Sequence, residues 1–200
     1  MIQEDHERHI TFKEAINELF GRDIPILWNK SNSGIIIEEI LSMEDLISYG
    51  QIIDIIIADL SIKVKFFVGD FYEEKESLQD YYNSIIKNGE HILTFSKRKV
   101  INYIESIPYL LLNEIDITYK EKIAKSILKT FYDDKEMLHT IEMYLNNNLN
   151  VSETAKHMYL HRNSLQYRIN KFINDTGIAI QKFDEAIAVK LALLIKKELE

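Results

Sequence analysis

Apolar residues recur at helical spacing through Phe12, Ala15, Ile16, Leu19 and Phe20, and Gly21 supplies a stop, so a helix is predicted over 12–20. Residues 24–28 and 34–40 are β-rich runs separated by a turn-like segment, Asn29-Lys-Ser-Asn-Ser-Gly34, which predicts a hairpin. Ser42 with Asp45 forms a weak capping box for a helix reaching about residue 61, with Leu46, Ile47, Ile53, Ile56, Ile57 and Leu60 inward. A strand over 64–69, a helix over 74–88 closed by Gly89, and a short strand over 92–95 follow. Residues 99–107 and 109–114 read as one helix broken near Pro108. From residue 118 onward every segment has helical period: 118–132, 135–149, 152–158, 162–174 and 183–200. The last of these carries Ala186, Ile187, Val189, Leu191 and Leu194 on one side. The predicted architecture is α+β, with a small N-terminal sheet covered by helices over 1–116 and an all-helical domain over 117–200.

Composition narrows the class. At 200 residues, 46% hydrophobic and 28% charged, the chain suits one large or two small domains with a real core. Six glycines and two prolines in a chain rich in Ile, Leu, Lys and Glu favour helices. The absence of cysteine removes disulfides, thiolate metal sites and cysteine nucleophiles. Asp54 and Asp59 interrupt the longest apolar stretch, so no membrane span is expected. The start, Met1-Ile-Gln-Glu-Asp-His, lacks a signal-peptide pattern, which makes a cytoplasmic location the expectation.

A net charge of −8 argues at first against a nucleic-acid partner. Its distribution reverses that. Residues 134–200 hold nine acidic and nine basic side chains, so the whole excess lies in residues 1–133, and residues 151–175 hold four basic groups against two acidic ones. This modest positive patch predicts weak non-specific binding by one copy and a need for two.

Residues 151–174 carry the informative chemistry. They read as two short helices joined by a tight turn, the layout of a helix-turn-helix. Ser152 is placed to accept hydrogen bonds from the free N–H groups of the first helix. Ala155 is small where two helices cross, and Met158, Leu160, Leu165 and Ile169 supply apolar contacts. Leu165, Ile169 and Phe172 bury one face of the second helix. The opposite face then carries Asn163, Gln166, Tyr167 and Asn170, with Arg162, Arg168 and Lys171 alongside. Asn and Gln pair with an adenine edge, Arg pairs with guanine or phosphate, and Ser164 and His161 are placed for backbone contacts. The expected DNA-binding residues are therefore Ser152, His161, Arg162, Asn163, Ser164, Gln166, Tyr167, Arg168, Asn170 and Lys171.

These residues closely resemble the helix-turn-helix of the PucR/CdaR family of bacterial transcriptional regulators. The resemblance rests on Leu138-His-Thr-Ile141 with Tyr144-Leu145, Thr154-Ala155, His161-Arg162-Asn163-Ser164-Leu165 with Tyr167-Arg168-Ile169, Thr176-Gly177, and Ala188 through Leu194. A weaker resemblance over residues 10–130 is to the degenerate GGDEF-like domain that precedes this unit in the family. It implies a regulatory or dimerising role. No Gly-Gly-Asp/Glu-Glu-Phe string is present, so nucleotide cyclisation is not assigned. The resemblance implies double-stranded DNA as partner, a homodimer, and room for a small-molecule effector. Tyr159 departs from helix-turn-helix units in general, which often place Gly in this turn. If the position has positive φ, Tyr costs on the order of 1 kcal/mol.

Other candidates carry less. His6-Glu7-Arg8-His9 is one residue short of the spacing that puts two imidazoles on one helix face, and His157 and His161 lie across the turn without a third ligand nearby. The acidic pairs Glu38-Glu39, Glu73-Glu74 and Asp133-Asp134 read as solvated helix ends, and Asp70 after Gly69 has no identifiable partner. No Gly-rich phosphate loop follows a strand. No catalytic residue, metal or cofactor is therefore expected. The alternative to a DNA reader is a protein-interaction module that works through the acidic N-terminal domain.

Overall fold

The computed structural model describes residues 2–39, 48–72 and 77–200. The expected Ser42–Asp45 cap and the Glu73-Glu74 pair lie outside the described residues. Packing divides the chain into two compact units, Met1–Ser106 and Ile107–Glu200. The sequence suggested a division at 116, which corresponds to the turn before the first long C-terminal helix.

The first unit begins with helix α1 (Ile2–Phe20), followed by the antiparallel hairpin β1 (Ile26–Lys30) and β2 (Ser33–Ile36). Helix α2 (Tyr49–Leu60), strand β3 (Phe66–Val68), helix α3 (Leu78–Phe95) and strand β4 (Val100–Asn102) complete it, with β3 and β4 paired in parallel. Buried Ile16, Ile24, Ile52 and Ile56 form its core, with Phe12, Leu19, Phe20 and Phe66 packed against them. The His9 ring stacks on Trp28 at 3.8 Å and ties α1 to the hairpin.

Five expectations are corrected here. The single small sheet is two separate two-stranded sheets among the described residues, because β1 and β2 pair across their own turn while β3 pairs with β4. Gly89 does not end a helix, and residues 92–95 are not a strand. α3 runs through both, because Phe67 lies against Gly89 and Ile92 is fully buried, so packing outweighs the roughly 1 kcal/mol that Gly costs inside a helix. The helix expected from residue 99 starts instead at Tyr103, and α4 (Tyr103–Asn113) passes through Pro108 unbroken.

The second unit is all helical: α5 (Ile117–Leu128), a 3₁₀ turn (Lys129–Phe131), α6 (Lys135–Asn146), α7 (Val151–His157), α8 (Arg162–Thr176) and α9 (Phe183–Leu199). Asp116 caps α5 by accepting from Thr118 and Tyr119, and Asp134 caps α6 by accepting from Met137, where the free N–H groups and the helix dipole favour a carboxylate. Leu128, Phe131, Ile141, Leu165, Ile169, Phe172, Val189 and Leu193 share one core. Phe131 and Phe172 stack there at 5.4 Å between ring centres. α9 lies along α5, and the Lys120 ammonium meets the Glu198 carboxylate at 2.6 Å with both side chains largely buried.

Candidate nucleic-acid interface

α7 and α8 form the helix-turn-helix, and each of their ends has a local cause. Asn150 caps α7, with its side-chain oxygen accepting from the backbone N–H of Ser152 at 3.0 Å and of Glu153 at 3.1 Å. This corrects the capping role expected for Ser152, which sits exposed in the first turn and donates its own N–H to the cap. His161 caps α8, its Nδ1 accepting from the Asn163 N–H at 3.4 Å. Gly177, at φ 72°, closes α8 in the left-handed conformation that glycine adopts without penalty.

The turn between α7 and α8 holds Tyr159 at φ 54° with its ring 96% exposed. The turn before α7 likewise holds Asn148 and Leu149 at positive φ. A non-glycine residue there is strained by roughly 1 kcal/mol. The Tyr159 ring packs on nothing within its own unit that would repay this.

Burial sorts α8 into faces. Leu165, Ile169 and Phe172 are fully buried against α6, α7 and the 3₁₀ turn, and Ala155 is buried where α7 crosses. Arg162, Asn163, Ser164, Tyr167, Asn170 and Lys171 are exposed, and Gln166 is half-buried at the edge of the same row. The Gln166 side-chain nitrogen donates to the Asn170 side-chain oxygen at 3.0 Å, so the two amides one turn apart hold each other. Arg162, Lys171 and Lys156 have no ion-pair partner among the described residues. Arg162, Lys171 and five polar side chains thus share the exposed side of α8.

Arg168 departs from this surface. Its guanidinium donates to the Thr140 hydroxyl at 3.2 Å and to the Glu136 carboxylate at 2.6 Å, both on α6. The sequence placed it beside the other exposed basic residues, whereas position 168 lies next to the buried stripe and reaches rearward. At the far end of α8, the Lys129 ammonium donates to the Thr176 carbonyl, a cation on the negative end of the helix dipole. Glu136 was not singled out from the sequence, and Thr140 entered only within the Leu138–Ile141 string, since nothing in α6 alone announces its partner.

His157 is engaged within its own unit. His157 donates from Nδ1 to Asn147 at 2.7 Å, and its Nε2 lies 3.2 Å from Glu153. Among the described residues no group of three or more His, Asp or Glu side chains is placed to hold a metal ion, and no helix is long and apolar enough to cross a membrane.

The matching family model falls on the same segment. Residues 137–195 match the PucR C-terminal helix-turn-helix domain. The chain is 31% identical over 189 residues to the Bacillus subtilis protein YxkF, covering 88% of this chain and 60% of that protein. It is 32% identical over 73 residues to the purine catabolism regulatory protein of Bacillus subtilis, covering 36% of this chain and 14% of that one. It is 31% identical over 116 residues to the proline-responsive transcriptional activator PutR of the same organism, covering 57% of this chain and 28% of that one. The chain therefore spans less than two thirds of the length of these relatives.

Proposed function

We propose that this protein is a sequence-specific DNA-binding transcriptional regulator of PucR/CdaR type, and that α8 enters the major groove with its exposed row toward the bases. One observation carries the reading: the polar row from Arg162 to Lys171 stands uncovered opposite a fully buried stripe, inside the segment that matches a helix-turn-helix domain. Asn163, Gln166 and Asn170 are the base-edge readers. The Gln166–Asn170 bond uses one amide hydrogen of Gln166 and leaves its oxygen and second hydrogen for an adenine edge. Arg162 at the helix start and Lys171 on its flank supply phosphate attraction, with His161, Ser164, Tyr167 and Ser152 as backbone contacts. Catalysis plays no part in this reading, and it calls for no cofactor.

One α8 spans only a few base pairs, so a homodimer on a two-fold site supplies the affinity that so small a positive patch lacks. The first unit, with its α+β composition and acidic excess, serves as the regulatory and dimerising part, a degenerate GGDEF-like domain that takes a small-molecule effector.

Selection of bound oligonucleotides from a random pool, followed by gel-shift titration at two salt concentrations, tests the proposal. Enrichment of a two-fold motif with salt-dependent affinity is expected. No retardation of any selected fragment at low salt defeats it. Strong self-association without DNA affinity points instead to a protein-interaction module working through the acidic first unit.

A further inference from the structure

The geometry assigns Arg168 a positioning role: it is a clamp that fixes α8 on α6, not a group that touches DNA. The inference rests on the proposed DNA reading and sharpens it, because it removes Arg168 from the three cations, Arg162, Arg168 and Lys171, expected on the reading surface.

The atoms on α6 are prepared for this contact. Glu136 and Thr140 stand one helical turn apart on the same face. The Thr140 hydroxyl is fully buried and donates its single hydrogen to the Glu136 carbonyl at 2.8 Å, so only its lone pair is left for a partner. A buried acceptor without a donor is costly, and Arg168 is that donor. The second guanidinium nitrogen reaches the Glu136 carboxylate. Two N–H groups of one rigid fork thus grip two residues a turn apart, which fixes both the rotation of α8 and its slide along α6. The Arg168 side chain keeps 29% exposure, while Glu136 keeps 75% and stays in solvent on the outer side of the pair. Lys129, holding the Thr176 carbonyl, secures the far end of the same helix. Two of the basic residues near α8 are therefore engaged in holding it.

Clamp and phosphate contact predict opposite results. Fluorescence anisotropy of a selected duplex across a salt series should show Arg168→Ala binding about tenfold more weakly with an unchanged salt slope. A lost phosphate contact instead lowers the slope by about 0.9. Arg168→Lys keeps the charge but loses the fork, so it should not restore affinity. Glu136→Ala adds net positive charge beside the helix and should nevertheless weaken binding. Tighter binding by Glu136→Ala, or full affinity in Arg168→Lys, overturns the assignment. Arg162→Ala is the control whose salt slope should fall. A readout without DNA separates the clamp from the reading: in denaturant unfolding of the full chain, Glu136→Ala and Arg168→Ala should be non-additive by about fivefold in the unfolding constant. Strict additivity refutes the clamp whether or not the wild type binds DNA, whereas coupling in a chain that binds none overturns only the functional proposal.

Discussion

Replacing Asn150 with Ala distinguishes the cap found in the structure from the one expected at Ser152. The Asn150 oxygen accepts from two backbone N–H groups at 3.0 and 3.1 Å, at the start of a helix only seven residues long. Half the residues of such a helix have N–H groups without an intrahelical partner, so the cap is a large part of its local stability. Removing an Asn cap costs about 1 kcal/mol, within a range of about 0.5–2. For a unit of this size that lowers the thermal midpoint by about 4–8 °C. The backbone carbonyl of Asn150, which accepts from the Thr154 hydroxyl at 2.7 Å, is left intact, so the loss isolates the side chain. Ser152→Ala should stay within about 0.5 kcal/mol, and Asn150→Asp should recover most of the stability. Circular dichroism melts of the full chain, paired with urea titrations, read all three. A Ser152→Ala loss equal to or larger than that of Asn150→Ala would refute the capping argument.

Other outcomes follow from the second unit. Phe172→Ala empties a fully buried site stacked on Phe131 and should cost about 3–5 kcal/mol by urea unfolding. Tyr159→Gly relieves a left-handed tyrosine and should raise stability by up to about 1 kcal/mol, read as a higher midpoint in the same melts. The Ala179 N–H and, after it, Lys182 hold the Glu185 carboxyl below the usual carboxylate range. The folded state therefore favours the ionised form. Its contribution is present above the ordinary carboxylate pKa and fades as pH falls through the lowered one. Glu185→Gln should accordingly be less stable than wild type near neutrality, and the gap should close in acid, as melts across a pH series will show.

The second unit was more legible than the first, for physical reasons. Leu165, Ile169 and Phe172 recur at helical spacing because one side of α8 is solidly buried, and periodicity reports that kind of burial directly. Asp134 precedes its helix with an acceptor of suitable reach, so that end was readable too. In the first unit the deciding contacts are not local. Gly89 looks like a stop until Phe67 is seen against it, and Val100–Asn102 is a strand only because Phe66–Val68 pairs with it. Arg168 shows the same limit inside the second unit. Its position beside the apolar stripe is written in the sequence, but the choice between solvent and α6 depends on Glu136 and Thr140, far away along the chain.

The embrace of α5 by α9 sets an order of events at the ribosome. Lys120 and Glu198 lie 78 positions apart, and α6, α7 and α8 are all translated between them. Until Val189 and Leu193 have emerged, Phe172 and Ile169 lack part of their cover. The nascent chain therefore displays a greasy, half-backed hairpin for the time needed to add those residues, the kind of transiently exposed apolar surface that chaperones bind.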